Sequence, residues 1–414
     1  MLRIIPSQEA TKLLTRRSVR MAEAETAVRP ILEDVRKRGD RAVIEYARKF
    51  DGLLGNGLTI PRERTEEIWR ALRNDIKQAI RTAATNIRAY AKLQLPQPKS
   101  VTPAPGLKLS QVIRPLDCVA AYIPSGRYPL PSTLLMTVIP AQVAGVTTIC
   151  AASPRPSNVI VGAAGFLEVS NLFQIGGAHA IAAFAFGTKS IPRADRIVGP
   201  GSIWVAAAKK ILAGETGIDF VAGPTEILII AEEGNPEWVA ADMLAQAEHD
   251  TDASAILLTT SPTFAKAVAA AVERRLDNLK TAAIASEAIR KNSAIILVSS
   301  AEEAVDLSNR FAPEHLSIHD PALLPGIRHA GSIFVGSTTP EAAGDYASGP
   351  NHVLPTGGVA RLRGGLSAAD YVKVISVQQI SPSALRKLAP AITTLARVEG
   401  LEGHAQSVEV RTGA

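Results

Sequence analysis

The sequence predicts an α/β protein made of two Rossmann-like doubly wound units, with helices before them and a helical C-terminal tail after them. Two observations carry this. From Cys118 onward, short runs rich in Val, Ile and Ala alternate with segments of helical apolar spacing, the pattern of a parallel sheet wrapped by helices. The alternation also occurs twice, which points to an internal duplication even though no residue-level repeat is visible. The expected division is 1–118 for the N-terminal helices and the first part of a metal and substrate domain, and 119–225 for a Rossmann-like domain. A second α/β unit follows over 226–366, packing with 1–118, and a tail over 367–414.

Taken in order, residues 7–48 and 61–93 read as amphipathic helices. In the second, Ile68, Leu72, Ile76 and Ile80 recur at every fourth position between charged residues. The turn-rich stretch Asp51–Gly57 joins the two. A strand is expected from Leu107 to Ile113, a turn at Pro115–Asp117, and a second strand over Cys118–Ile123 that leads into Pro124-Ser125-Gly126-Arg127. The first alternating series has helices at 131–144, 157–169, 178–186 and 202–213. Its strands are Val146–Ala151, Asn171–Ile175, Arg196–Val198 and Ile218–Val221. The second has strands Glu226–Ala231, Ser254–Thr259, Ala294–Val298 and Ser332–Val335, with helices over 236–249, 262–276 and 301–311. An irregular stretch rich in Gly and Pro runs from Gly336 to Gly365, and loops of that length commonly carry function. A last helix spans Pro382 to Val398.

Composition excludes several classes. No run approaches the roughly 18 apolar residues of a membrane span, and the N-terminus lacks the apolar region of a secretion signal, so a cytoplasmic protein that binds no membrane is expected. The net charge of +6 invites a nucleic-acid reading. The first 100 residues hold 21 Lys and Arg against 12 Asp and Glu, a surplus of nine, so the remaining 314 carry a net of −3. That surplus is interleaved with acids, as in Arg62-Glu63-Arg64, and aromatic residues make up only 4%; no nucleic-acid partner is expected. Cys118 and Cys150 lie in apolar runs without CxxC spacing, which favours buried thiols.

The chemistry-bearing residues fall in three clusters. Gln246 and His249 stand three residues apart at the end of an expected helix, on one face, where they can supply half of a four-ligand metal shell. The same residues read as a polar helix end with a solvated histidine, and the spacing alone does not choose. In Phe311–Leu316, Pro313 ends the preceding helix and leaves Glu314 beside His315, both expected to be exposed at the boundary. A carboxylate next to an imidazole suits proton transfer, because it raises the histidine pKa toward working pH. Within Gly344–Gly358, Asp345 offers an oxygen ligand and His352 a hydrogen-bond partner. There is no GxGxxG after a strand; Ile175–Ala180 and Val198–Ser202 are the strand-to-helix turns where backbone amides could meet a phosphate.

Together and in this order, Tyr122–Gly126, Gly199–Ser202, Ala222–Glu226, Gln246–Asp250, Ala312–Leu316 and Gly344–Thr356 resemble the histidinol dehydrogenase family, and the likeness runs from the N-terminal helices through the tail. The resemblance implies NAD-dependent oxidation of L-histidinol to L-histidine through an unreleased aldehyde, with one zinc per subunit. It implies a zinc shell of Gln246, His249, Asp345 and His404, and a homodimer with shared active sites in which the tail exchanges so that His404 completes the partner's site. Glu314 and His315 match the catalytic pair, His315 taking the alcohol proton and Glu314 activating water. Substrate contacts are implied for Thr225, His352 and Glu399 along with Gln246, His249, His315, Asp345 and His404, and NAD contacts for Tyr122, His179 and Ser202. With one carboxylate in the shell, the site would be net positive and suited to a neutral imidazole and amine. This chain has His179, Ser202 and Thr225 where the family commonly has Gln, Asn and Ser. A paralogue acting on another small alcohol, such as a sulfonated diol, is the alternative. Glu399 and His404 favour histidinol, because the amine contact and the tail ligand both remain.

Overall fold

The computed structural model describes residues 2–10, 13, 20–125 and 128–413. Part of the expected helix 7–48, and Gly126 and Arg127 of the Pro124–Arg127 segment, lie outside the described residues. The chain forms two compact units, one of Met1–Gln94 with Asp117–Tyr371 and the other of Leu95–Leu116 with Val372–Ala414.

Strands are numbered in chain order. The N-terminal part supplies β1 (Arg3–Pro6) and β2 (Thr59–Ile60), and the smaller unit holds β3 (Lys99–Ala104) and β4 (Leu107–Pro115). The first alternating series gives β5 (Cys118–Tyr122), β6 (Thr148–Ala152), β7 (Asn171–Phe173), β8 (Arg196–Val198) and β9 (Gly217–Ile218). The second gives β10 (Glu226–Ile230), β11 (Ser254–Thr259), β12 (Ala294–Leu297), β13 (His315–Ile318) and β14 (Ser332–Val335), and β15 (Val372–Ile380) returns to the smaller unit.

The first sheet runs β2-β7-β6-β5-β8-β9 and the second β1-β12-β11-β10-β13-β14. In each, five consecutive strands lie in the order third, second, first, fourth, fifth, and they pair in parallel. Each sheet also gains a strand from the N-terminal region beside its third strand: β2 antiparallel to β7, β1 parallel to β12. The two doubly wound units are therefore present, and the duplication shows in topology. Each sheet reverses strand order beside its first strand, between β5 and β8 and between β10 and β13, the places where open parallel sheets form crevices. Among the described residues an apolar core that includes Phe173, Phe184 and Ile181 packs on one face of the first sheet, and apolar cores cover the second.

Several elements differ from expectation. The 61–93 periodicity belongs to two helices, Arg62–Ala71 and Asn74–Leu93, with Leu72 extended between them. An added Cβ on Gly162 would sit 2.8 Å from Leu72, so that side chain is pressed into the neighbouring helix Asn158–Phe166. Strand β9 stops at Ile218 rather than Val221, because the Asp219 carboxylate takes the amides of Gly199 and Phe220. Strands β1, β2, β3, β13 and β15 and the helix Ala282–Asn292 have no counterpart in the sequence reading. Gly336–Gly365, expected to be irregular, contains the helix Glu341–Tyr346.

In the smaller unit, the expected Leu107–Ile113 strand extends to Pro115 and is the centre of an antiparallel sheet, β15-β4-β3. Its register with β15 runs from Val372↔Pro115 to Ile380↔Leu107. The tail continues past Val398 as a further helix, Glu402–Thr412, packed on Pro382–Val398. Among the described residues no helix is long and apolar enough to cross a membrane. Cys118 and Cys150 are free thiols, the second buried.

Candidate active site

The chemistry gathers at the N-terminal edge of the second sheet. Glu226 opens β10 and His315 opens β13, and the two strands are paired with Ile227 opposite His315. The helix Pro236–Ala247 starts with Pro236 behind an Asn235 cap that accepts from Glu237 N at 3.0 Å. It follows β10, and its last turn carries Gln246 to Thr225 at the strand's start, where Gln246 Nε2 donates to Thr225 Oγ1 at 2.5 Å. Thr225 Oγ1 in turn donates to Glu314 Oε2 at 2.5 Å, and the same oxygen accepts from Glu226 N at 2.9 Å.

Glu314 and His315 are buried, 6% and 4% exposed, which corrects the expectation of an exposed pair. Pro313 does follow the end of a helix, Ala301–Phe311, and Ala312 turns the chain in a left-handed conformation at φ 53°. The next residues then enter a strand flanked on both sides by β10 and β14, and that position removes them from solvent. His315 Nδ1 lies 3.3 Å from Glu226 O and 3.4 Å from Glu341 Oε1. Its Nε2 is buried without a hydrogen-bond partner, 3.6 Å from Asp345 Oδ1.

Glu341 is the residue that the sequence reading missed. It is 2% exposed and sits four positions before Asp345 on the helix Glu341–Tyr346, so both carboxylates share one helical face. The signal was the spacing of two acids after Pro340, hidden in a stretch read as loop. Glu226 was also missed as a titrating group; its Oε1 accepts from Gly357 N at 3.0 Å.

His315, Glu341 and Asp345 offer ligand atoms that all lie within 4.8 Å of one another. Gln246 adds to this group in an orientation-dependent way. With its nitrogen on Thr225 its oxygen faces only acceptors, among them the Glu341 carboxylate, while the reversed amide donates to Glu341 and accepts from Thr225 and Glu226 N. A cation between Gln246 and Glu341 would favour the first arrangement, because amide and carboxylate oxygens then converge on positive charge. The Gln246 amide oxygen, which faces only acceptors, and the Asp345 carboxylate form a donor set that fits a zinc ion, and His315 Nε2 beside them is left unbonded. Glu341 brings a second carboxyl group beside Asp345, one that the sequence reading did not count.

Of the other expected site residues, His249, an expected zinc ligand, is exposed in the turn after its helix and acts electrostatically on Asp345. His352 is partly buried, with Nδ1 2.8 Å from Asp345 O and Nε2 3.2 Å from Thr133 Oγ1. Glu399 and His404 lie in the smaller unit, at the end of Pro382–Val398 and in Glu402–Thr412, both exposed.

Burial opposes charge on His315, but the carboxylates of Glu341, Glu314 and Asp345 outweigh it and raise its pKa to about 10. Burial pushes Glu226 up to about 8, helped by the Glu314 charge. Burial likewise pushes Glu341 up to about 8, against the pull of His315. For Asp345 burial also acts upward, yet its contact with His315 brings it below the ordinary value. Burial lowers His352.

The expected cofactor residues stand at the C-terminal edge of the first sheet. Tyr122 ends β5, beside the strand-order reversal, and its Oη accepts from Gly177 N at 3.2 Å. Ser202 is exposed and precedes the helix Ile203–Leu212 without bonding its side chain to that helix. His179 is 1% exposed, its Nε2 2.8 Å from Asp51 Oδ2, and Asp51 also accepts from Gly176 N at 2.8 Å. Nothing in the sequence pairs these two residues. A seven-residue linker, Asp219–Thr225, runs from the end of β9 to the start of β10 and so joins the two edges.

The sequence model of the histidinol dehydrogenase family matches residues 14–412. A histidinol dehydrogenase of Rhizobium meliloti is 44% identical over 412 residues, covering 97% of this chain and 95% of its own length. One from Syntrophotalea carbinolica is 45% identical over 397 residues, covering 94% of this chain and 92% of its own length. The crystal structure of histidinol dehydrogenase from Elizabethkingia anophelis superposes with a TM-score of 0.94 at 35% identity, covering 99% of this chain and 98% of that one.

Proposed function

The chain belongs to the histidinol dehydrogenase family, and from that premise we propose that it oxidises L-histidinol to L-histidine through L-histidinal, in the last steps of histidine biosynthesis, as a cytoplasmic enzyme. The family is one of NAD-dependent oxidoreductases, so NAD, when bound, would supply the hydride acceptor for both oxidations. Zinc, when bound, supplies positive charge that orients the substrate's amine and imidazole and offsets the carboxylate field on His315. Gln246, His249 and Asp345 would hold it, with His404 from the tail.

The observation that carries this reading is the buried Glu314–His315 pair set against Gln246, Glu341 and Asp345 at one sheet edge. In the first oxidation His315 Nε2, which has no other partner, takes the hydroxyl proton as hydride leaves the carbinol carbon. Glu314 then takes a proton from water as its oxygen attacks the aldehyde carbon, and His315 returns its proton to the aldehyde oxygen, giving a hydrate and a neutral imidazole. Loss of a second hydride from that carbon and a proton to His315 leaves the carboxylic acid. Thr225 and the amide of Glu226 fix Glu314 Oε2, so its basic oxygen is oriented before substrate arrives. Burial of both residues keeps bulk water from the aldehyde.

Tyr122, Ser202 and His179 are assigned to the cofactor, His179 acting through Asp51 on the Gly176 turn. Thr225, His352 and Glu399 are assigned to substrate. The protein is proposed to be a homodimer in which the tail's Glu399 and His404 serve the partner's site. Thr225 retains the hydroxyl of the Ser common in the family, and the relatives give no support to the sulfonated-diol alternative. The test couples metal analysis to stoichiometry. Two NADH per histidinol and about one zinc per subunit are expected; a single NADH, or histidinol used no better than a generic amino alcohol, would overturn the reading.

A further inference from the structure

Gly199 has both of its peptide groups held by one buried ion pair. Lys209 and Asp219 are 3% and 5% exposed and are paired with each other. Lys209 Nζ donates to Gly199 O at 3.0 Å, and Asp219 Oδ2 accepts from Gly199 N at 2.8 Å. Asp219 Oδ1 accepts from Phe220 N at 2.7 Å, and the backbone oxygen of Asp219 accepts from Arg363 Nη1 at 2.6 Å. Two desolvated charges are thus spent on the orientation of one turn.

That turn has no room to choose another shape. Gly199 stands at φ 107°, and a Cβ there would lie 2.2 Å from Tyr122 O. Gly201 is equally confined, since its Cβ would meet Val205 at 2.5 Å. The ion pair therefore presses Gly199–Ser202 against the last residue of β5, at the reversal of strand order. Asp219 also begins the linker whose other end is Thr225, so the pair fixes where the turn stands along that linker.

We propose that Lys209 and Asp219 are positioning residues for the nicotinamide cofactor, setting the Gly199–Ser202 turn that receives it. This rests on assigning Tyr122 and Ser202 to NAD. A buried ion pair is a poor source of stability, because desolvation offsets most of its attraction, and an apolar pair of similar volume often serves the fold as well. What an apolar pair cannot do is hold both the N–H and the C=O of Gly199. Removing the pair accordingly loosens cofactor binding while leaving the Gln246–Asp345 edge unchanged.

The experiment measures NADH affinity by fluorescence, KM for NAD and for histidinol, and zinc content. In the double variant Lys209→Met, Asp219→Asn, which leaves no unpaired buried charge, NADH binding and KM for NAD are expected to weaken about tenfold or more. KM for histidinol and zinc content should stay at the wild-type level. Lys209→Arg serves if the double variant does not fold: it keeps the charge but presents a planar fork to the Gly199 carbonyl, and NADH binding about threefold weaker or more is expected. Wild-type NADH affinity in a folded variant overturns the inference alone. A wild-type protein that binds no NADH overturns it together with the functional reading.

Discussion

At the scale of single residues, the site is governed by how many carboxylates surround one imidazole. Glu314, Glu341 and Asp345 act together on His315, and Glu226 lies next to Glu314. His315→Asn should reduce turnover by about 10²–10⁴-fold, read as the initial rate of NADH formation, with zinc content retained. Glu314→Gln should separate the half-reactions, so that single-turnover experiments give one NADH and a trappable aldehyde where the wild type gives two. The raised acid pKa values have a consequence for stability. Glu226 and Glu341 ionise near pH 4.5 when unfolded and near 8 in the fold, so their contribution is present below about 4.5 and is lost as pH rises through about 8. The melting temperature of metal-free protein should therefore fall between pH 5 and 9, and Glu226→Gln should make that slope shallower. An unchanged slope would show that Glu226 does not titrate in this range.

At the scale of elements, the proposed chemistry depends on strand β13 being held between its neighbours β10 and β14. Gly331, just before β14, donates to Pro313 O at 2.9 Å, and a Cβ on it would fall 2.6 Å from Glu314 O. Gly331→Ala must therefore move the backbone that carries Glu314 and His315. A kcat loss of roughly 10–100-fold is expected, because sub-ångström errors in a catalytic pair are costly, with KM for NAD unchanged. Wild-type kcat in this variant would mean that the strand yields elsewhere. The same crowding explains why β13 escaped the sequence reading. Four buried residues after a proline carry too little periodicity to separate a strand from a helix terminus. By contrast the helix Pro236–Ala247, with an Asn cap, Pro at its first position and an apolar face, was legible, but it ends two residues short of His249, so Gln246 is buried within it while His249 stands exposed beyond it rather than on one helical face with Gln246.

At the scale of the molecule, the two sheets repeat one strand order but present opposite edges to the proposed chemistry: the first its C-terminal edge with Tyr122 and Ser202, the second its N-terminal edge with Glu226 and His315. The tail's assignment to a partner can be tested by complementation. His315→Asn and His404→Asn subunits, each of low activity alone, are mixed and reassembled. Shared sites leave one intact site in each mixed dimer, so activity should recover to about a quarter of wild type; sites built within single subunits would give no recovery. The sequence by itself determined what depends on local order: the α/β alternation, the turns, the helix ends, and the set of motifs that placed the chain in its family. Tertiary structure alone decided that Glu314 and His315 are buried, that Glu341 faces His315, that Asp51 holds His179, and that Lys209 and Asp219 hold Gly199. Such pairings join residues far apart in the chain, and a carboxylate's partner is set by which strands the sheet brings side by side, which no spacing along the chain encodes.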